Sequence, residues 1–478
     1  MLPRNYVRWA YWKCRGICST MPAKPLETVD LTRRNFLSTS GRLLLLAPIA
    51  SAFPWLNCSS IATEPSKEAV ASFPYTGTDE QLLDDVERTA FQFFWEQAHP
   101  RTGLVKDRAR ATGTDTYTVA SIASTGFGLT ALCIGDARGY MPTPAIRARV
   151  FATLDSVANL VAGHNGFYYH FVDWETGQRA WKCELSSIDT SLLLCGVLTA
   201  RQYFHNDSQI VALANKIYSG VQWPWMLNGG ATLSMGWKPE SGFLDSRWNH
   251  YCELMMIYLL GIGSPSYPLA PATWKAWSRP TYTYQGITYI SAGDPLFTHQ
   301  YSQAWYDFRN KRDDYADYFQ NSVKATQAHR LFCLSLHDRF PTYTDNLWGI
   351  VSSDSEHGYV AWGGPPAMGP IDGTVVPCAA GGSLPFVYAD CVAVLRNMRG
   401  YKGVWGRYGF VDAFNPMNGW VNADVIGIDV GITMLMAENQ RTGLVWNTFM
   451  SSPEAQKAMQ LAGFRELAQV APALKKAA

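Results

Sequence analysis

Two short blocks carry residue types that could do chemistry. One is Trp181-Lys-Cys-Glu184-Leu-Ser-Ser-Ile-Asp189-Thr, the other Arg247-Trp-Asn-His-Tyr-Cys-Glu253-Leu-Met-Met-Ile. Each sets a carboxylate among aromatic and polar residues where a long loop gives way to an apolar helical run. A carboxylate on the first turn of a helix is stabilised in its charged form by free backbone N–H groups. One walled by aromatics is pushed toward its neutral form. One carboxyl that holds a proton beside one that does not is what hydrolysis of a glycosidic bond requires.

Other acids and aromatics extend the set. Asp424 and Asp429 open a further helical run. The Gly/Pro-rich stretch 349–373 holds Asp354, Glu356, His357 and Trp362, which an ordered loop would point into a cleft. In Phe297-Thr-His299-Gln-Tyr-Ser-Gln303-Ala-Trp305-Tyr306, the residues His299, Gln303 and Tyr306 share one helical face suited to sugar hydroxyls, with Trp305 beside them. Each residue alone reads equally well as a cap, an ion pair or a core aromatic. Their common placement after long loops is what makes them a set.

The elements that must position these residues are helices. Thr78-Asp-Glu-Gln81 is a capping box ahead of Leu82, Leu83, Val86, Ala90, Phe93 and Phe94, a helical period. Similar runs cover roughly 117–139, 144–162, 187–205, 208–221, 248–263, 299–310, 313–337, 384–399, 424–440, 443–451 and 453–463. Strand-type alternation is confined to Thr281–Ile290. Short connections alternate with long ones at 99–116, 164–186, 223–247, 264–298, 338–383 and 400–423. Loops beyond about 12–15 residues usually carry function. Tight helix pairs separated by long loops predict an all-α chain, a single (α/α)6 barrel with its long loops on one rim.

Composition narrows the function classes. The chain has 478 residues, 47% of them hydrophobic, with 18 Trp; most of these rings should be core. Thr32-Arg33-Arg34-Asn-Phe-Leu, an apolar run over 43–53 and Ala50-Ser-Ala52 read as a twin-arginine signal peptide over 1–52, cleaved on export to the periplasm or medium. A linker over 53–78 and one catalytic domain over 79–478 follow. Removing 1–52 leaves 32 basic and 37 acidic residues, which argues against nucleic acid as a partner. The apolar run is too short to span a bilayer. No C-x-x-C, H-E-x-x-H, P-loop or G-x-S-x-G occurs, so no metal and no cofactor is expected. Cys133, Cys195, Cys252, Cys333 and Cys391 lie in apolar runs and read as buried free thiols.

Several blocks, in order along roughly 79–465, resemble the bacterial glucoamylase-like family that contains the endo-β-1,2-glucanases. They are Ala120-Ser-Ile-Ala-Ser-Thr-Gly-Phe-Gly128, Cys183-Glu-Leu-Ser-Ser-Ile-Asp-Thr190, Trp223-Pro-Trp-Met-Leu, Met235-Gly-Trp-Lys-Pro, Thr298-His-Gln-Tyr-Ser, Asp372-Gly-Thr-Val-Val-Pro and Gly409-Phe-Val-Asp-Ala-Phe-Asn-Pro. The resemblance implies an (α/α)6 barrel, a β-glucan substrate, inversion, Glu253 as general acid and Glu184 as a second essential acid. Asp189 and Asp429 complete the candidate catalytic set, and which carboxylate activates the water stays open. The expectation is an exported, metal-independent glycosidase with a polysaccharide or oligosaccharide substrate and no obligate protein partner. A polysaccharide lyase on a similar toroid would need a Tyr/His base and a cation for a uronate. A non-catalytic glycan-binding protein would keep the aromatics without several convergent acids.

Overall fold

The computed structural model describes residues 73–467. The leader expected at 1–52 and most of the expected linker lie outside the described residues. Helices dominate: α1 (Asp79–Glu96), α2 (Ile122–Ala137), α3 (Thr143–Asn159), α4 (Ser187–Tyr203), α5 (Ser208–Ser219), α6 (Trp223–Leu227), α7 (Met255–Gly263), α8 (Tyr318–Leu334), α9 (Pro377–Gly381), α10 (Tyr388–Met398), α11 (Gly427–Arg441), α12 (Leu444–Met450) and α13 (Pro453–Leu461). The box at Thr78 and Gln81 caps α1.

The helices sort into two kinds. Nearly every residue of α2, α4, α7, α9 and α11 is buried. By contrast α1, α3, α5, α8 and α10 bury one stripe and expose the rest. The buried segments meet in a closed circuit. Helix α2 packs on α4 and α11, α4 on α7, and α11 on α9. Between α7 and α9 the circuit runs through two 3₁₀ turns, Leu296–His299 and Tyr301–Ala304. The Ser302 hydroxyl accepts from the Met256 N–H, and Gln300 Nε2 donates to the Ala379 carbonyl. This corrects the helix expected at 299–310. Backbone bonds from Gln300 to Phe297 and from Gln303 to Gln300 span three residues there.

Helices α2 and α4 approach most intimately, and glycine is the reason. A β-carbon on Gly126 would collide with the Leu192 carbonyl, and one on Gly196 with the Gly126 carbonyl. One hydrophobic cluster runs from Leu82 to Ala462, with Trp223, Trp274, Trp305 and Trp348 wholly inside. Seven cysteines are buried free thiols: Cys133 on α2, Cys183 before α4, Cys195 on α4, Cys252 before α7, Cys333 on α8, Cys378 on α9 and Cys391 on α10.

Short antiparallel pairs knit the long loops together where the buried helices begin. Arg108–Arg110 pairs with Asp424–Ile426, Val119–Ser121 with Phe171–Asp173, and Leu185–Ser186 with Gly236–Lys238. The hairpin at 281–290 matches its expectation. The other pairs are two to four residues long, too short for their alternation to be read in sequence.

Candidate active site

The N-termini of α2, α4 and α11 and the turn before α7 converge. Each of α2 and α4 emerges from a two- or three-residue strand, and Ser121 and Ser186 cap them. Backbone bonds lock the neighbouring loops: Ile122 N–H to the His170 carbonyl, His170 N–H to the Glu184 carbonyl, and Gly427 N–H to the Asp107 carbonyl. Glu253 sits two residues ahead of α7, not inside a helix starting at 248. Its carbonyl accepts from Ser302 Oγ at 2.8 Å, and Trp248 Nε1 donates to Ser187 Oγ at 2.8 Å, which ties this turn to α4.

His170 organises the acids. Its Nδ1 lies 3.4 Å from Glu184 Oε1 and its Nε2 3.4 Å from Asp189 Oδ1, with the ring stacked on Phe171 at 3.8 Å. Ser186 Oγ donates to Asp189 Oδ2 at 2.5 Å. Burial opposes the charge on Glu184, but the hydrogen bond and charge of His170 outweigh it and hold the pKa at about 2. Burial pushes Glu253 the other way, up to about 7, and the nearby Asp189 adds to the shift. The site therefore holds one carboxyl that keeps its proton near neutrality and one that does not.

Three cavities stand in a row. Asp107, His170, Asp189, Tyr301 and Glu253 line the middle one. Asp107 also lines a second with Arg108, Tyr117 and Trp181. Trp181 is 53% exposed and in the left-handed region at φ 53°, so its indole stands at the mouth as a flat surface. On the other side Glu253 and Phe297 also line a third cavity, with His250, Asp294, Ser352 and Ala361. Among the described residues, no group of three His, Cys, Asp or Glu could hold a metal ion.

The Glycoamylase family model matches residues 245–453, a span that includes Glu253 and Asp429. An exo-β-1,2-glucooligosaccharide sophorohydrolase (non-reducing end) of Parabacteroides distasonis is 30% identical over 437 residues, 82% of this chain. By these comparisons the chain is similar to the glucoamylase-like family. It spans 59% of the length of that relative. A solved endo-β-1,2-glucanase from Chitinophaga pinensis, in complex with sophorotriose and glucose, has a TM-score of 0.76 at 27% identity, covering 82% of this chain and 99% of that one. A β-1,2-glucanase from P. distasonis has a TM-score of 0.75 at 28% identity, covering 81% of this chain and 60% of that one.

Within this glucoamylase-like site, the structure brings together Glu184, Asp189 and Glu253 and sets other expected residues apart. Asp429 faces Asp412 and accepts from Cys378 Sγ, and it lines an apolar cavity with Val86, Ala90 and Pro377. It does not line the cavity of Glu253, although Asp107 and Tyr301, which do, lie close enough to interact with it. Burial and the Asp412 charge raise its pKa, and burial followed by the Asp354 charge takes Asp412 to about 7. Asp424 lies in a strand rather than at a helix start, 3.7 Å from Arg108 and accepting from Tyr117.

The 297–306 segment corrects the reading of a sugar-facing helical face. His299 is buried with Nδ1 3.0 Å from the Tyr251 hydroxyl, and burial takes its pKa to about 3. Gln303 Nε2 donates to the Tyr318 carbonyl and Ser322, Trp305 Nε1 donates to Thr130, and Tyr306 packs on Phe449. In the 352–361 hairpin, Asp354 binds Arg108 at 2.7 Å, Glu356 accepts from Asn418, and His357 is exposed at the turn. Trp362 is buried, donating to the Pro370 carbonyl, not facing a cleft.

His170, Asp107 and Asp294 escaped sequence reasoning. Each lies inside a long loop, and only the packing of those loops brings them to Glu253. The charged triplet Lys106-Asp107-Arg108 was the one available signal.

Proposed function

We propose that this protein is a glycoside hydrolase that cleaves β-1,2-glucan by acid/base catalysis with inversion. The carrying observation is a cavity lined by Glu253, whose pKa is raised to about 7, together with Asp189 and His170, the imidazole that also holds Glu184 ionised at about 2. The names of the relatives, sophorohydrolase and endo-β-1,2-glucanase, supply the linkage. Glu253 protonates the leaving oxygen. Asp189, oriented by His170 and Ser186, draws the proton from the water on the opposite face of the ring. Trp181 stacks on a sugar further along. The closed circuit of buried segments supports an (α/α)6 toroid whose fourth inner helix is reduced to two 3₁₀ turns.

Incubation with linear β-1,2-glucan and product chromatography tests the reading. Sophoro-oligosaccharides are expected, and their lengths over time separate sophorose release from chain ends from internal cutting. An intact glucan overturns the reading, as does absorbance from an unsaturated product with a uronate polymer. Proton NMR of the first product should show the α-anomer; initial β-anomer would mean retention. The twin-arginine leader supports export to the periplasm or beyond. Arg33→Lys with Arg34→Lys should hold the protein in the cytoplasm of a host with that pathway, and normal export would remove the assignment.

A further inference from the structure

Asp294 is a buried carboxyl with nothing to bind. It is 8% exposed, both of its oxygens are buried, and neither has a hydrogen-bond partner among the described residues. A buried polar group without a partner costs stability, so its retention calls for a reason. It immediately precedes Pro295, which opens the 3₁₀ part of the buried circuit, and it lies close enough to Glu253 to feel its charge. It lines the cavity that Glu253 shares with His250, Cys252, Ser352 and Ala361.

Resting on the hydrolase reading above, the row of cavities gives that space a role. A general acid stands beside the oxygen being cleaved, between the sugar that is attacked and the sugar that leaves. The cavity holding Asp189 and His170 is on the attacked side, because the water-activating carboxylate belongs there. The cavity on the far side of Glu253 then receives the leaving sugar.

We infer that Asp294 is a substrate-binding residue of the leaving-group subsite, its carboxyl completing its hydrogen bonds with the hydroxyls of the departing glucosyl unit. Burial, with the neighbouring Glu253, raises its pKa to about 8, so at neutral pH it carries a proton and can both donate and accept. Adjacent sugar hydroxyls offer both functions in return. A site built to bond a hydroxyl discriminates strongly in favour of ligands that carry it.

The test uses Asp294→Ala and Asp294→Leu, with sophoro-oligosaccharides as substrate. KM should rise about tenfold or more in both. The Tm of Asp294→Leu should be unchanged or raised, because an unsatisfied buried acid has been replaced by an apolar side chain. Unchanged KM overturns the assignment. So does a lowered Tm in both variants, which would make Asp294 structural, or an altered alkaline limb of kcat with KM unchanged, which would make it act only through Glu253. Wild-type protein that leaves the oligosaccharides intact removes the hydrolase reading, and this inference with it.

Discussion

At the scale of the residue, Glu253 is defined by its surroundings. It is 7% exposed, held by its backbone to Ser302, and close enough to Asp189 to feel its charge. Glu253→Gln keeps the shape and removes the transferable proton. We expect kcat to fall by about 10²–10⁴-fold, measured by reducing-end release. The alkaline limb of kcat should fall as pH rises through about 7, where Glu253 loses its proton. Stability gives the opposite signature. A buried acid whose folded pKa lies above the unfolded value, about 4.3, destabilises the fold increasingly between that pH and its folded pKa. The Tm of the variant should therefore match wild type near pH 4 and exceed it at pH 8. A Tm lower at both values would make Glu253 a structural group.

At the scale of the element, the approach of α2 and α4 sets the spacing of Ser121, Ser186 and Asp189. Gly126→Ala inserts a methyl against the Leu192 carbonyl, a backbone atom that cannot rotate away. Overpacking of this kind costs about 1–3 kcal/mol, and the move of α4 should lower kcat as well. Urea unfolding and turnover on one preparation check both; wild-type values for each would mean that the helices part freely. The helical period of α1 or α5 was legible because one side chain in three or four must face the core. Glu184 and Glu253 were legible for a related reason, since acids at the edge of apolar runs stand out. The strand pairs that bring His170 and Asp107 to them were not, because pairing over two or three residues leaves no periodicity. The aromatics at 305 and 306 misled for the opposite reason: a polar residue in the core, such as Gln303, looks like a binding residue until its internal partners are known.

At the scale of the whole molecule, inner and outer helices must be held in register. Arg201 on α4 does this with paired bonds to Glu454 on α13, at 2.9 and 2.6 Å, and a third to Asn215 on α5 at 2.8 Å. Arg201→Met should cost about 1.5–3 kcal/mol at pH 7, from the lost charge-assisted bonds and the partly buried acid left behind. Burial opposes the charge on Glu454, but Arg201 and Ser452 outweigh it and hold the pKa at about 2. Because the folded value is depressed, this contribution is complete above the unfolded pKa, about 4.3, and disappears as pH falls toward the folded one. The stability gap between wild type and variant, measured by urea melts, should narrow over that interval. A constant gap would assign the loss to packing instead of charge.

The distribution of thiols makes the molecule its own recorder. Buried cysteines lie on α2, α4 and α9, just ahead of α7, and on the outer helices α8 and α10. Burial takes Cys183 and Cys333 up to about 12, so in the closed protein they are poor nucleophiles as well as inaccessible ones. A thiol of this kind reacts with an alkylating reagent only during an excursion that exposes its own segment. Timed alkylation followed by peptide mass analysis would thus read the order in which neighbouring parts of the ring come apart, with no reporter introduced.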